Sequence, residues 1–135
     1  MDNIKEILKN KILVIDGGMG TMLQSYGLEE VDFRGELLKN NFLDLKGNND
    51  ILSLTCPDLI EKVHTDFIEA GANLIETNTF NANSISQADY GTQKLVYDMN
   101  VRSVGIAKKA IENYSDRNLF VCGAIGPTNK TASLS

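Results

Sequence analysis

Asp16 opens a run, Asp16-Gly17-Gly18-Met19-Gly20-Thr21, in which a carboxylate stands directly before glycines that let a ligand approach the main chain closely. A second acidic residue opens Glu76-Thr77-Asn78-Thr79-Phe80-Asn81, and a third polar loop reads Gly126-Pro127-Thr128-Asn129. Each loop follows an apolar run of strand character, so all three fall where a parallel β/α barrel builds its active site, at the carboxyl ends of strands. Two carboxylates converging there could bind an ammonium group, and glycine N–H groups beside Asp16 could receive a carboxylate. Together that is the chemistry of an α-amino-acid site. The spacing equally fits a plainer arrangement, in which Asp16 caps or braces the following turn and Glu76 belongs to a structural pair in the barrel mouth. The other side chains capable of chemistry are few. Cys56 and Cys122 read as buried small apolar residues, and His64 reads as a partly exposed helix residue and not as a ligand.

The elements that must position these loops follow from the apolar pattern. Ile12-Leu13-Val14-Ile15 is a continuous aliphatic run of the kind that is covered on both faces and is predicted as strand one. A short helix over 21–26 and a long charged connection over 29–50 come next; connections of that length are usually functional. Residues 51–54 are predicted as strand two. Pro57 then opens a helix whose apolar face is Leu59, Ile60, Val63, Phe67 and Ile68, with Gly71 as its stop. Residues 73–77 form strand three, a short helix covers about 84–90, and a longer one runs over about 95–114 with Val104, Ala107, Ile111 and Tyr114 on one stripe. Strand four covers 119–125. The alternation argues for parallel strands joined by crossover helices, that is, the first four β/α units of a (β/α)8 barrel, a half barrel, within residues 1–135 as one domain without internal boundary. A closed barrel needs eight such units and about 250 residues. A small doubly wound sheet is the alternative, but Gly17-Gly18-Met19-Gly20 lacks the third glycine of a dinucleotide fingerprint, since Leu23 stands there, and no Gly-Lys-Ser/Thr ending follows.

Composition narrows the partners. With 42% hydrophobic and 23% charged residues the chain can build a core and cover it. A formal net charge of −5 with scattered Lys and Arg leaves no footprint for nucleic acid or an anionic membrane surface. The first eleven residues fit an amphipathic turn and not a signal peptide, and no run reaches transmembrane length. Two cysteines are too few for a disulfide framework. The expectation is a cytoplasmic protein acting on small molecules.

Taken together, Asp16-Gly17-Gly18-Met19-Gly20-Thr21-Met22, Asp32-Phe33-Arg34-Gly35-Glu36, Leu45-Lys46-Gly47-Asn48-Asn49-Asp50, Glu76 to Asn81, Ala88-Asp89-Tyr90 and Gly126 to Ser133 closely resemble the homocysteine S-methyltransferase domain at the N-terminus of cobalamin-dependent methionine synthases. The Asp-Gly-Gly start is shared with the betaine- and S-methylmethionine-dependent members of the wider family. The Gly-Met-Gly-Thr-Met continuation and the Lys-Gly-Asn-Asn-Asp segment resemble the cobalamin-dependent branch. The resemblance implies that a zinc ion held by three cysteine thiolates keeps the sulfur of homocysteine as a thiolate, which attacks a methyl group carried on cobalamin. That methyl group comes from methyltetrahydrofolate on another domain. It further implies that Asp16, Gly17 and Gly18 contact the amino-acid end of homocysteine. Glu76, Thr77 and Asn78 would line the same pocket, Gly126 with Pro127 and Thr128 would form the next loop at the barrel mouth, and Asn48 and Asp50 would be structural.

The family's zinc cysteines lie beyond Ser135, so no metal ligand is assigned to this chain. Neither zinc nor cobalamin is expected on these residues alone, which are expected to be inactive by themselves. The expected partners are L-homocysteine, the methyltetrahydrofolate and cobalamin domains of the rest of a methionine synthase chain, and a second copy, through edge strands that lack neighbours. An oligomerising amino-acid-binding module without chemistry is the alternative reading, with a nucleotide-binding doubly wound domain behind it.

Overall fold

The computed structural model describes residues 4–130; Asp2 and the Thr131-Ala132-Ser133 end of the last motif lie outside the described residues. In chain order the elements are α1 (Ile4–Ile7), α2 (Met19–Gln24), α3 (Glu30–Arg34), α4 (Leu52–Thr55), α5 (Pro57–Glu69), β1 (Leu74–Glu76), α6 (Ser84–Gln87), α7 (Val96–Glu112) and β2 (Phe120–Cys122), with 3-10 turns at Asn49–Ile51, Ala88–Tyr90 and Gln93–Leu95. β1 and β2 pair in parallel with Leu74 opposite Phe120, Ile75 opposite Val121 and Glu76 opposite Cys122.

The run over 12–15 lies on the other side of β1. There it forms a single parallel bridge, Ile15 to Leu74, supported by Asp16 N donating to Leu74 O at 2.9 Å and Leu74 N donating to Val14 O at 3.0 Å. It is not covered on both faces as its composition suggests: Ile12 is 86% exposed, and Val14 and Ile15 are about half exposed. Among the described residues nothing pairs with its far side.

The predicted strand two of the half barrel does not form, because residues 51–54 are helical. The 3-10 turn Asn49–Ile51 runs straight into α4, burying Ile51, Leu52 and Ser53 completely against the helices around them. A short buried apolar run has no period that separates strand from helix, and here Cys56, at φ −141° and ψ 56° outside the helical region before Pro57, breaks α4 from α5. The sheet therefore has three parallel runs in sequential order, 12–16, β1 and β2, joined by crossovers through α5 and α7.

The crossover helices form as their sequences dictate. α5 starts with Pro57 at its first turn, where no N–H partner is lost, and the chain leaves it through Gly71 at φ +109°, a conformation that only glycine adopts without strain. Arg117 closes that end by donating to Ile68 O and Ala72 O at 2.7 and 3.1 Å. α5 and α7 lie against one face of the sheet, where Ile75, Ile68, Ala72, Ala107, Ala110 and Leu119 make one apolar cluster. A second cluster, built on Leu23, Phe33, Leu45, Ile51, Leu52, Ile60, Val63, Met99 and Ile106, gathers α2, α3, α4, α5 and α7, and Phe67 packs against both.

Three side-chain placements differ from expectation. His64 is fully buried, because it lies one turn beyond Ile60 on the same face of α5. The buried stripe of α7 is Met99, Ser103, Ile106, Ala107 and Ala110, while Val104 is exposed, since α7 faces α4 and α5 together and its contact face is wider than one stripe. Cys56 and Cys122 are free thiols at intermediate depth, not buried, Cys122 being on the open side of β2.

Candidate functional site

At the carboxyl ends of the three parallel runs lies a cavity of about 350 Å³. Its wall takes Asp16 to Gly20 from the first run and α2, Gly47, Asn49 and Asp50 from the connection before α4, Glu76 to Asn81 from the loop after β1, and Ala124 from the loop after β2. Five of the sequence-derived site residues besides Asp16 thus meet in one place: Gly17, Gly18, Glu76, Thr77 and Asn78. Gly126 lies outside the lining. It is packed on Phe80, donating its N–H to Phe80 O at 3.0 Å, and a Cβ there would sit 2.8 Å from the Phe80 ring.

The polar groups of this wall divide into those used by the scaffold and those left for a ligand. Thr79 Oγ1 donates to Ala124 O at 2.8 Å and Ala124 N donates to Thr77 Oγ1 at 3.1 Å. With both hydroxyls thus engaged, the 2.7 Å contact between them is a bond from Thr77 to Thr79. The two threonines thereby extend the β1–β2 pairing past the last ladder residue. Asn78 is buried and spends its amide N–H groups on Asn49 O at 2.8 Å and Ser53 Oγ at 3.1 Å, while Ser103 Oγ donates to Asn78 O at 3.1 Å and lies 2.7 Å from Ser53 Oγ, whose hydroxyl can donate back to it. This ties the loop to α4 and α7. Asp50 accepts from Asn81 N at 2.8 Å, and burial raises its carboxyl above the ordinary range.

Behind the wall, Asn48 and Gln87 exchange amide hydrogen bonds at 2.8 and 2.9 Å, and Thr92 Oγ1 donates to Gln87 Oε1 at 2.6 Å. All three residues are buried. Their pairing satisfies the polar atoms that would otherwise make burial costly, and it fixes the segment that carries Asn49 and Asp50 to the cavity.

Asp16 is different. Its Oδ2 accepts from Glu76 N at 3.1 Å, so it braces the next strand and not its own turn. Its Oδ1 is shielded from water and has no hydrogen-bond partner. Burial, opposed by the Glu76 N–H bond and reinforced by the neighbouring Glu76 charge, raises the Asp16 carboxyl from 3.8 to about 6. Burial, followed by the charges of Glu76 and Asp16, also raises the Cys122 thiol. The cavity lining holds three carboxylates, Asp16, Asp50 and Glu76, and no Lys, Arg or His. Such a wall favours a ligand that brings positive charge.

Several wall residues were not singled out from the sequence: Thr79, Phe80, Asn81, Met19, Gly20, Gly47, Asn49 and Ala124. Most stand next to a chosen residue in the same motif, and that adjacency is the signal available for them. Gly47 and Asn49 belong to the long connection, marked by its length and by the Lys-Gly-Asn-Asn-Asp motif, which did not single them out as site residues. For a metal the described residues offer no site: no three His, Cys, Asp or Glu side chains come together in a way that would hold one. Also among the described residues, no helix is long and apolar enough to cross a membrane.

The sequence model of the homocysteine S-methyltransferases matches residues 13–135. Two crystal structures of the homocysteine methyltransferase MmuM from Escherichia coli are similar to this chain. The oxidized form is 27% identical with a TM-score of 0.70 over 93% of this chain, and the metallated form is 25% identical with a TM-score of 0.70 over 92%. In both cases this chain spans 41% of the length of the solved chain.

Proposed function

The chain belongs to the homocysteine S-methyltransferase family, and from that premise we propose that its cavity holds the amino-acid end of homocysteine in an enzyme that transfers a methyl group to the homocysteine thiol. The observation that carries this reading is the wall itself: an acid-only lining at the carboxyl ends of parallel strands, with a buried carboxylate oxygen of Asp16 that no protein group satisfies. An α-ammonium group supplies both the charge and the donors that this oxygen lacks. Glu76 stands beside it to share the ammonium, and the bare Cα atoms of Gly17 and Gly18 admit the ligand carboxylate to the main chain. Thr77 and Asn78 act one step back, since their hydrogen bonds are spent on Ala124, Asn49 and Ser53. Gly126 acts through Phe80, which it lets approach the cavity.

The reaction is a displacement at a methyl carbon: the homocysteine sulfur attacks as thiolate, a C–S bond forms, and the bond from methyl to its donor breaks. This chain's residues hold the nucleophile in place, a contribution of proximity and orientation. In the family zinc would hold the homocysteine sulfur in its thiolate form, but the described residues do not fit a zinc site, so no step is assigned to the metal here. Cys56 packs on the helical core, Cys122 lies on β2, and His64 is enclosed in α5's face. We place the thiol-activating groups and the methyl donor in the part of the family's length that this chain does not span. The cobalamin-dependent branch is the reading we favour for that donor, because the residues that carry the likeness to it, Met19, Gly20, Gly47, Asn49 and Asp50, line the cavity.

Titration calorimetry with L-homocysteine, and with the analogue that lacks its amino group, tests the amino-acid assignment. Binding of the first and loss of the second is expected; equal binding of both would show that the acidic wall does not hold the ammonium. A module that binds amino acids without chemistry predicts the same binding but no methionine formed when the remainder of a family enzyme and a methyl donor are supplied.

A further inference from the structure

We propose that ligand capture at this site is coupled to a proton under mildly acidic conditions: there Asp16 carries one when the cavity is empty and gives it up when the ammonium group arrives. The inference rests on the amino-acid reading above and adds a regulation of the same site. Its basis is geometric. Asp16 Oδ1 is closed off from water and lacks a donor, while Oδ2 accepts from the main-chain N–H of Glu76. A charge confined to that carboxyl has too few partners, and a proton on Oδ1 relieves it.

The charged groups around Asp16 push its carboxyl up, against the main-chain N–H groups of Glu76 and of Asp16 itself, which hold it down. Glu76 on β1 and Asp50 on the turn before α4 share the cavity, and both are acidic. Cys122 on β2 is close enough to feel the charges of Asp16 and Glu76. From α5 the neighbour of the adjoining Gly17 is the apolar ring of Phe67. Among the described residues no cationic side chain lines the cavity, so they leave a proton to offset its acids. The Asp16 carboxyl accordingly rises to about 6, by burial first and then the Glu76 charge.

When a ligand ammonium sits on Oδ1, it replaces the proton as the positive partner and lowers the carboxyl's proton affinity. The proton leaves to solvent, and one positive charge is exchanged for another. Binding is then tighter at neutral pH and weakens as the pH falls below about 6. The ligand's own ammonium, carboxylate and thiol keep their protonation through that window, so the slope belongs to the protein.

The test is calorimetric titration of the chain with L-homocysteine between about pH 5 and pH 7, in pairs of buffers with different ionisation heats, which gives affinity and protons exchanged together. From a carboxyl near 6, affinity at about pH 5 is expected to be about tenfold below that at pH 7, with proton release approaching one per ligand. Asp16→Asn is expected to remove both the release and the slope. Should that variant fail to fold, Glu76→Gln serves: loss of the neighbouring charge should move the midpoint to lower pH. Binding that is independent of pH, with no proton exchanged, overturns the coupling and leaves the amino-acid site standing. Absence of binding at every pH overturns the amino-acid site and the coupling with it.

Discussion

His64 gives the fold an acid sensitivity that can be worked out from its surroundings. The side chain is fully buried on α5, and neither Nδ1 nor Nε2 has a hydrogen-bond partner. Burial lowers its ring from 6.5 to about 4. Between those two values the unfolded chain binds a proton that the folded chain refuses, so the free energy of unfolding falls as the pH falls. At about 1.4 kcal/mol per pK unit, the shift corresponds to about 3 kcal/mol lost between neutral pH and a pH below about 4. Asp16 works in the opposite direction over nearly the same window. Its folded value of about 6 lies above the ordinary 3.8, so the folded chain takes up its proton first and acidification favours folding. Because Asp16 is only half buried, its contribution is smaller than the nominal shift. The two residues partly mask one another in the native sequence, and His64→Leu separates them.

Urea unfolding at several pH values, with midpoints compared at constant slope, is the assay. The variant should match or exceed the native chain below about pH 6.5, its advantage widening to about 3 kcal/mol at pH 4, and its own stability should rise gently on acidification. A native-to-variant difference that does not change with pH would mean that His64 is not held neutral by burial and that the ring finds a partner or water in solution.

Gln87→Leu should cost at least about 1–3 kcal/mol in unfolding free energy, because it strands the buried amide of Asn48 and the hydroxyl of Thr92; retained stability would show that the pair is not satisfied as drawn. Gly126→Ala should cost about 1–3 kcal/mol by driving a methyl group into Phe80, and a melting temperature equal to the native one would contradict that close approach. The open side of the 12–16 run, with Ile12 and Val14 exposed, should make the chain self-associate in sedimentation experiments, and Ile12→Lys should shift it toward monomer; a native chain that stays monomeric at all concentrations would oppose this.

What the sequence revealed depended on how local the determining physics was. α5 was legible because Pro57, the apolar face from Leu59 to Ile68 and Gly71 are all features of a few neighbouring residues. The carboxyl ends of the strands were legible for the same reason, since a strand running into Asp16-Gly17 or Glu76-Thr77 announces its own end. Residues 51–54 were misread because their burial is set by α5 and α7, elements the local run does not mention. His64 was misplaced through its neighbours: it shares the Ile60 face, and a polar side chain there without partners is something the pattern gives no reason to expect. In the site, the residues that mark the motifs were identified, but their division of labour was not. Only the hydrogen-bond geometry shows that Thr77 and Asn78 serve the scaffold while Asp16 keeps an unpartnered oxygen.

Whether Asp16 holds homocysteine is read most directly from the main-chain amide signals of the chain, followed by NMR while L-homocysteine is added, in the native sequence and in Asp16→Ala. Saturable shifts concentrated at Gly17, Gly18 and Glu76 are expected, with their loss in the variant and its fold otherwise intact. Shifts elsewhere on the chain, or shifts at these residues that survive removal of the Asp16 carboxylate, would contradict that role of Asp16.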